Sequence, residues 1–196
     1  MIAGIVLAAG ESRRMGQLKP LLKIGEKTFL QHITGQLKTA GVHPVIVVLG
    51  YLPEVILENS GINCDHAINV HYRLGQFSSL QTGIHALPSE CRGVVVCLGD
   101  QPQLRHEWVR KLIQAFDQHD PDMVIPQFNG RSGHPVIYSS RLFDEIKSMS
   151  PSSTARELRE RHTPSILRID IDTDAILYDA DTPQDLENIR TRFMPD

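Results

Sequence analysis

The sequence is short of the features that mark most secreted, membrane and nucleic-acid-binding proteins. It has three cysteines, Cys64, Cys91 and Cys97, at no paired spacing. An odd thiol count with no secretory leader points to reduced thiols and a cytoplasmic protein. The apolar run at the N-terminus is too short for a signal peptide and lacks its flanks, and no run is long enough to span a bilayer. Neither sign of charge dominates: 20 Lys and Arg stand against 23 Asp and Glu, a formal net charge of −3. No global field gathers nucleic acid, and no membrane or nucleic-acid partner is expected, so an anion site must be built locally. Neither CxxC nor HExxH occurs, so the nine histidines announce no zinc site. There is no internal repeat and no low-complexity linker, and a chain of 196 residues suits one domain, 1–196.

What is present is an alternation of strand and helix patterns. Near-continuous apolar runs at Ile2–Ala9, Val45–Leu49 and Gly93–Leu98 read as strands covered on both faces. Thr28–Thr39 carries Phe29, Leu30, Ile33 and Leu37 at helical spacing and is stopped by Gly41. Leu52–Glu58, Ser78–Leu87, Glu107–Gln118, Arg141–Lys147, Thr154–Arg161 and Pro183–Phe193 read as further helices. Ala67–Val70, Met123–Pro126, Pro135–Tyr138 and Ile166–Ile171 are further strands, with "QFNGRSGH" as a turn-rich loop. This order predicts a three-layer αβα domain, Rossmann-like, with a mostly parallel sheet and one or two antiparallel strands.

In such a sheet, ligands sit beyond the carboxyl ends of the strands. "LAAGESRRMGQLK" lies there after the first strand. Gly10 permits a tight turn and close approach of a ligand, backbone N–H groups form an anion nest, and Arg13, Arg14 and Lys19 supply charge for a polyphosphate. The spacing is neither a Walker loop nor G-x-G-x-x-G. On charge and glycine alone, a solvated basic turn explains it equally well.

The longer stretch "LAAGESRRMGQLKPLL" resembles the signature of the MobA-like nucleotidyltransferases, L-A-[AG]-G-x-S-x-R-M-G-x-x-K. It matches at Leu7, Ala8, Ala9, Gly10, Ser12, Arg14, Met15, Gly16 and Lys19. The resemblance implies a GT-A-type fold and a loop, including Glu11 and Arg13, that wraps a nucleoside triphosphate with Arg14 and Lys19 at its phosphates. Ala9 gives the "LAAG" form that resembles the molybdenum cofactor cytidylyltransferase branch, which implies CTP rather than GTP.

Asp100, in "VVVCLGDQPQL", follows a buried strand at the same sheet edge. By itself it reads as a turn cap or as a carboxylate that holds Mg²⁺ against phosphate. The resemblance of "GDQP" to the family's metal-binding turn favours the second reading. "YDADTPQDL" resembles the family element that completes the metal site. It implies Asp181 as second ligand, with Asp179 the alternative, while Asp185 and Thr182 suit a helix start. The ion is Mg²⁺ or Mn²⁺, which oxygen ligands do not separate. In "LGQFSSLQTGIHAL", Ser78 or Ser79 is expected to cap a helix, and the family's similar segment, through Gly83, lines the nucleotide pocket. "GRSGHPVIY" resembles the G-x-x-G-H-P loop and implies Arg131 and His134 on the acceptor side. One departure is that "SPSSTARELRERH" stands where this branch carries G-D-x-G-A-R, keeping only Ala155 and Arg156 and offering a Thr154/Glu157 cap.

The expected activity is transfer of CMP from CTP to a phosphorylated acceptor, molybdopterin cofactor, with pyrophosphate released and a molybdoenzyme as client. Arg14, Lys19 and Asp100 would be the catalytic groups, acting by positioning and charge neutralisation. The alternatives are a sugar-phosphate or isoprenoid-precursor nucleotidyltransferase, and a non-catalytic cofactor chaperone of the same fold.

Overall fold

The computed structural model describes residues 1–194. Ten strands form one large sheet and a small hairpin: β1 (Ile2–Ala8), β2 (Lys23–Ile24), β3 (Lys27–Thr28), β4 (Val45–Leu49), β5 (Asp65–Ile68), β6 (Gly93–Leu98), β7 (Met123–Phe128), β8 (Arg131–Ser132), β9 (Val136–Ser139) and β10 (Ile166–Asp170). Seven helices accompany them: α1 (Phe29–Thr39), α2 (Pro53–Ser60), α3 (Gln76–His85), α4 (His106–His119), α5 (Phe143–Ser148), α6 (Ala155–Arg161) and α7 (Pro183–Phe193). The sheet order is β10-β7-β9-β6-β1-β4-β5, with β8 paired to β7 and the β2–β3 pair standing apart. Along that order only β9 runs against its neighbours, pairing antiparallel with β6 and β7.

The three apolar runs form the middle of the sheet. β1 lies between β4 and β6 in parallel register, Val6 opposite both Val47 and Cys97. Helices cover both faces. Leu30, Ile33 and Leu37 of α1, Ile56 of α2 and Leu112 and Phe116 of α4 build the core on one side. Phe77, Leu80 and Ile84 of α3, Ile146 of α5 and Leu158 of α6 build it on the other. α7 docks on a third cluster, in which Leu186 and Ile189 meet Phe29, Ala180 and Met15. The expected three-layer αβα architecture is therefore present. Two helix signals act as read: Thr182 and Asp185 form a capping box on α7, and Thr154 caps α6. The structure adds a third at α1, where Thr28 Oγ1 accepts from Gln31 N while Gln31 Oε1 accepts from Thr28 N.

Several boundaries move, for identifiable reasons. The strand expected at Ala67–Val70 is Asp65–Ile68, because its register ends where β4 ends, Leu49 opposite Ile68. The helix expected from Ser78 starts at Gln76, after Gly75 in a left-handed conformation (φ +121°). Neither Ser78 nor Ser79 caps it: both lie inside the first turn, and Ser78 Oγ donates to the Gly75 carbonyl at 2.7 Å. Within "QFNGRSGH", Asn129 and Gly130 both have positive φ. They turn β7 into β8 as an Asn-Gly hairpin inside the stretch expected as a turn-rich loop.

Two helical glycines make opposite predictions. A Cβ on Gly83 would lie 2.8 Å from Ile5 Cδ1 in the core, whereas one on Gly35 would meet nothing within 4 Å. Gly35→Ala is expected to stabilise by roughly 0.5–1 kcal/mol from helix propensity. Gly83→Ala is expected to lose stability, because overpacking costs roughly 1–3 kcal/mol. Urea melts of the two variants check the sign of each change.

Candidate active site

The carboxyl ends of β1 and β6 are drawn together by Gly99. Its N–H donates to the Leu7 carbonyl at 2.8 Å, and a Cβ there would stand 2.8 Å from Ala8 Cβ and 2.9 Å from that carbonyl oxygen. The close approach brings Asp100 beside the glycine-rich loop. At Gly10 a Cβ would meet nothing within 4 Å, so the fold itself does not require glycine there. The open space faces a cleft of about 190 Å³, lined by Leu7, Ala8, Gly10, Ser12, Arg13, Arg14, Lys19, Asp100 and Asp181 among others.

The loop is held at both ends. Ala9 offers its carbonyl to Tyr51 N at 3.1 Å. Met15 is buried in the cluster under α7. Ser12 adopts φ +55° and accepts Lys19 N on its Oγ at 3.1 Å, which fixes where the lysine leaves the backbone. Lys19 Nζ then reaches 3.0 Å from Asp100 Oδ2 and 2.6 Å from Asp181 Oδ1, and Arg14 NH2 lies 2.7 Å from Asp181 Oδ2. Burial works against the Lys19 charge, but Asp100 and then Asp181 outweigh it and hold the lysine pKa above its ordinary value. The Lys19 hydrogen bond holds Asp181 below the usual carboxylate range. Arg13 is committed elsewhere: with Arg73 it binds Glu11, first Arg13 and then Arg73 holding the Glu11 carboxyl low.

The second aspartate arrives on a firmly held strap, Asp174–Asp181. Gln103, buried after β6, donates from Nε2 to the Ala175 and Tyr178 carbonyls at 3.0 and 2.7 Å. Gln101 Nε2 donates to Asp179 Oδ1 at 2.8 Å, and Ala180 N donates to the Asp100 carbonyl at 2.9 Å. Burial and the nearby Asp100 raise the Asp179 pKa. Asp181, not Asp179, faces Lys19. Both glutamines stand beside Asp100 in "GDQPQL" and match no motif of their own.

Ser78 and Ser79 point inward, each accepting from Asn69 Nδ2, at 2.8 and 2.9 Å. Asn69, unremarked in the sequence, anchors the start of α3. Gly83 packs α3 on β1 against Ile5 and does not line the cleft at Lys19. His134 lines a second cavity of about 220 Å³ that adjoins the first across Leu7, with Phe77, Leu80, Tyr138 and Ser152–Ala155 around it. Arg131 is separated from His134: it is exposed and borders a different hollow with Phe128, Asn129 and Tyr178. Between them Gly133 lies so close under the Ile176 carbonyl of the strap that a Cβ there would clash with it.

The donor set suits a hard divalent ion. Two carboxylates from separate segments already converge on one cation, and magnesium takes one or two carboxylates with water and phosphate for the rest. Among the described residues no cluster of three or more His, Cys, Asp or Glu could hold a metal unaided, so phosphate or water oxygens would complete the shell.

The MobA-like NTP transferase domain model matches residues 4–166. The chain belongs to this family and is a nucleotidyltransferase. It is 28% identical over 195 residues to the molybdenum cofactor cytidylyltransferase of Escherichia coli K12, covering 96% of this chain and 95% of that protein. It is 26% identical over 149 residues to a probable molybdenum cofactor guanylyltransferase of Bacillus mycoides, covering 75% and 72%. Among solved structures, Rv0371c of Mycobacterium tuberculosis H37Rv superposes with a TM-score of 0.84 at 25% identity over 96% of each chain. The manganese complex of Rv0371c superposes with a TM-score of 0.80 at 23% identity, covering 97% of this chain and 98% of that one. No helix among the described residues is long and apolar enough to cross a membrane.

Burial pushes the His134 pKa down from 6.5 to about 4. The unfolded chain therefore binds a proton that the native ring refuses. Stability is expected to fall as the pH drops from about 6.5 towards 4. Replacing His134 by Gln should flatten that part of the profile in urea melts at pH 7, 5.5 and 4.5.

Proposed function

We propose that this nucleotidyltransferase, with the whole chain 1–196 as one catalytic domain, moves CMP from CTP to a phosphorylated acceptor of the molybdopterin type. The observation that carries the reading is the meeting of Lys19, Arg14, Asp100 and Asp181 at the joined ends of β1 and β6. Cations of the loop and carboxylates of two other segments face one cleft, as a metal–triphosphate requires. The "LAAG" loop and the cytidylyltransferase relative that matches over nearly the whole chain support CTP over GTP.

In this reading an acceptor phosphate oxygen forms a bond to the α-phosphorus of CTP while the bond from that phosphorus to the bridging oxygen breaks, and pyrophosphate leaves with the electron pair. The nucleophile is already ionised, so no strong base is needed. Lys19 and Arg14 bind and orient the phosphates and offset the charge that develops on them. The N–H groups around Gly10 contribute a nest for the same anion. Asp100 and Asp181 would hold Mg²⁺ or Mn²⁺, which supplies charge neutralisation to the triphosphate. The manganese complex of a structural neighbour supports a divalent ion in this fold. The cavity at His134, apolar on one wall and bordered by Ser152, Ser153 and Thr154, receives the acceptor body. Arg131, on a separate hollow, takes no part in that contact. We further place the enzyme in the cytoplasm, supplying a molybdoenzyme client.

Pyrophosphate release across the four NTPs, with and without molybdopterin, tests the reading, alongside calorimetric titration of each nucleotide with Mg²⁺. CTP is expected to bind most tightly and to be turned over only with the acceptor; equal or tighter GTP binding would overturn the nucleotide choice. Asp100→Asn and Asp181→Asn are each expected to abolish most turnover, non-additively, with little change in melting because Asn suits the same turns. Asp185→Asn, in the α7 cap, should leave the rate nearly unchanged. Full activity in Asp100→Asn would remove the metal assignment.

A further inference from the structure

The two carboxylates proposed to hold the metal are engaged by the chain's own cations. Lys19 bridges Asp100 and Asp181, and Arg14 takes the other oxygen of Asp181. The formal charge of these four side chains sums to zero. The two cations are not equivalent. The Arg14 side chain is 71% exposed and the Lys19 side chain 12%. A pair as open as that of Arg14 is worth little and is readily left. Lys19 has its backbone N–H bound to Ser12 Oγ and its ammonium at the point where the two carboxylates converge. A magnesium ion takes carboxylate oxygens at about 2.0–2.1 Å, and the ammonium occupies the point on which both carboxylates converge.

We infer that Lys19 competes with the divalent ion for the Asp100–Asp181 pair, and that a nucleoside triphosphate ends the competition by drawing the ammonium onto its phosphates. The inference rests on the metal role of the pair proposed above. A lone divalent ion entering beside Lys19 and Arg14 would bring the cluster to a net charge of +2. A triphosphate brings the negative charge that lets the ion, Lys19 and Arg14 remain together. Metal and nucleotide therefore bind cooperatively, each tightening the other by the same factor. The lysine has two successive partners: it shields the carboxylates from one another first and clamps phosphate afterwards.

The test is Mn²⁺ binding, read by electron paramagnetic resonance and calorimetry, with no turnover involved. Wild type is titrated alone and with a non-hydrolysable CTP analogue, and the same is done for Lys19→Met and for Lys19→Met combined with Asp181→Asn. Thermal melts check that each variant is folded. Removing the ammonium should tighten Mn²⁺ alone by about tenfold or more, the scale of a hydrogen bond between charged groups. That gain should vanish in the double variant, and the Lys19→Met affinity for the analogue should fall. In wild type the analogue should tighten Mn²⁺ by a similar factor, a measurement that needs no variant. If wild type binds Mn²⁺ equally well with and without the analogue, or if Lys19→Met gains nothing, the competition is refuted while the metal assignment stands. A gain that survives Asp181→Asn would also refute it, because the ion would then bind elsewhere. If no Mn²⁺ binds even with the analogue, the metal assignment fails and the inference falls with it.

Discussion

The site depends on one half-buried ammonium shared by two carboxylates from distant parts of the chain. Lys19 belongs to the loop after the first strand, Asp100 to the turn after β6, and Asp181 to the strap before the last helix. Three segments far apart in sequence are thereby tied at one point. Isolated ion pairs on a surface stabilise little, because water screens them and long side chains lose freedom. Here the ammonium is largely withdrawn from water, and the backbone of each aspartate is tied in place, Asp100 by Ala180 N on its carbonyl and Asp181 by its own N–H on the Asp179 carbonyl. The attraction consequently outweighs burial, as the raised lysine pKa reports.

The scaffold beneath supplies rigidity without being involved in the chemistry. Parallel strands buried on both faces end at one sheet edge, and Gly99 lets two of those ends approach more closely than any side chain would permit. Met15 nails the glycine-rich loop to the cluster that also receives α7, and Ala180 of the strap enters the same cluster. Loop and strap thus share a foundation. A catalytic arrangement built only on exposed loops would lose that alignment to thermal motion.

The strap also joins the two halves of the cleft. On one side Gln103 holds its carbonyls and Gln101 holds Asp179. On the other, His134 N donates to the Ile176 carbonyl at 3.2 Å, and Gly133 admits that carbonyl where no larger residue fits. The strap that carries Asp181 is thereby bonded through its backbone to His134, which lines the second cavity. This gives the glycine of "SGHP" a packing reason, independent of any contact with substrate.

The sequence by itself determined the layers and the loop. Uninterrupted apolar runs at β1, β4 and β6 are tolerable only in a sheet covered on both faces, and the spacing at α1 and α4 shows which side of each helix is buried. Local chemistry settled the caps at Thr28, Thr154 and Thr182, because a cap is made within four residues. The glycine-rich signature was legible for the same reason: its residues are consecutive, and so is the turn they make. Tertiary structure alone decided the rest. Whether Asp179 or Asp181 meets Lys19 depends on how Gln101 and Gln103 hang the strap, contacts that span about 70 to 80 residues of chain. Ser78 and Ser79 looked like caps, yet Asn69 across the turn claims both hydroxyls. Arg131 and His134 are three residues apart but border different hollows, since the strap passes between them. Side-chain partners at long range leave no periodic mark in a sequence, and only the packed chain shows them.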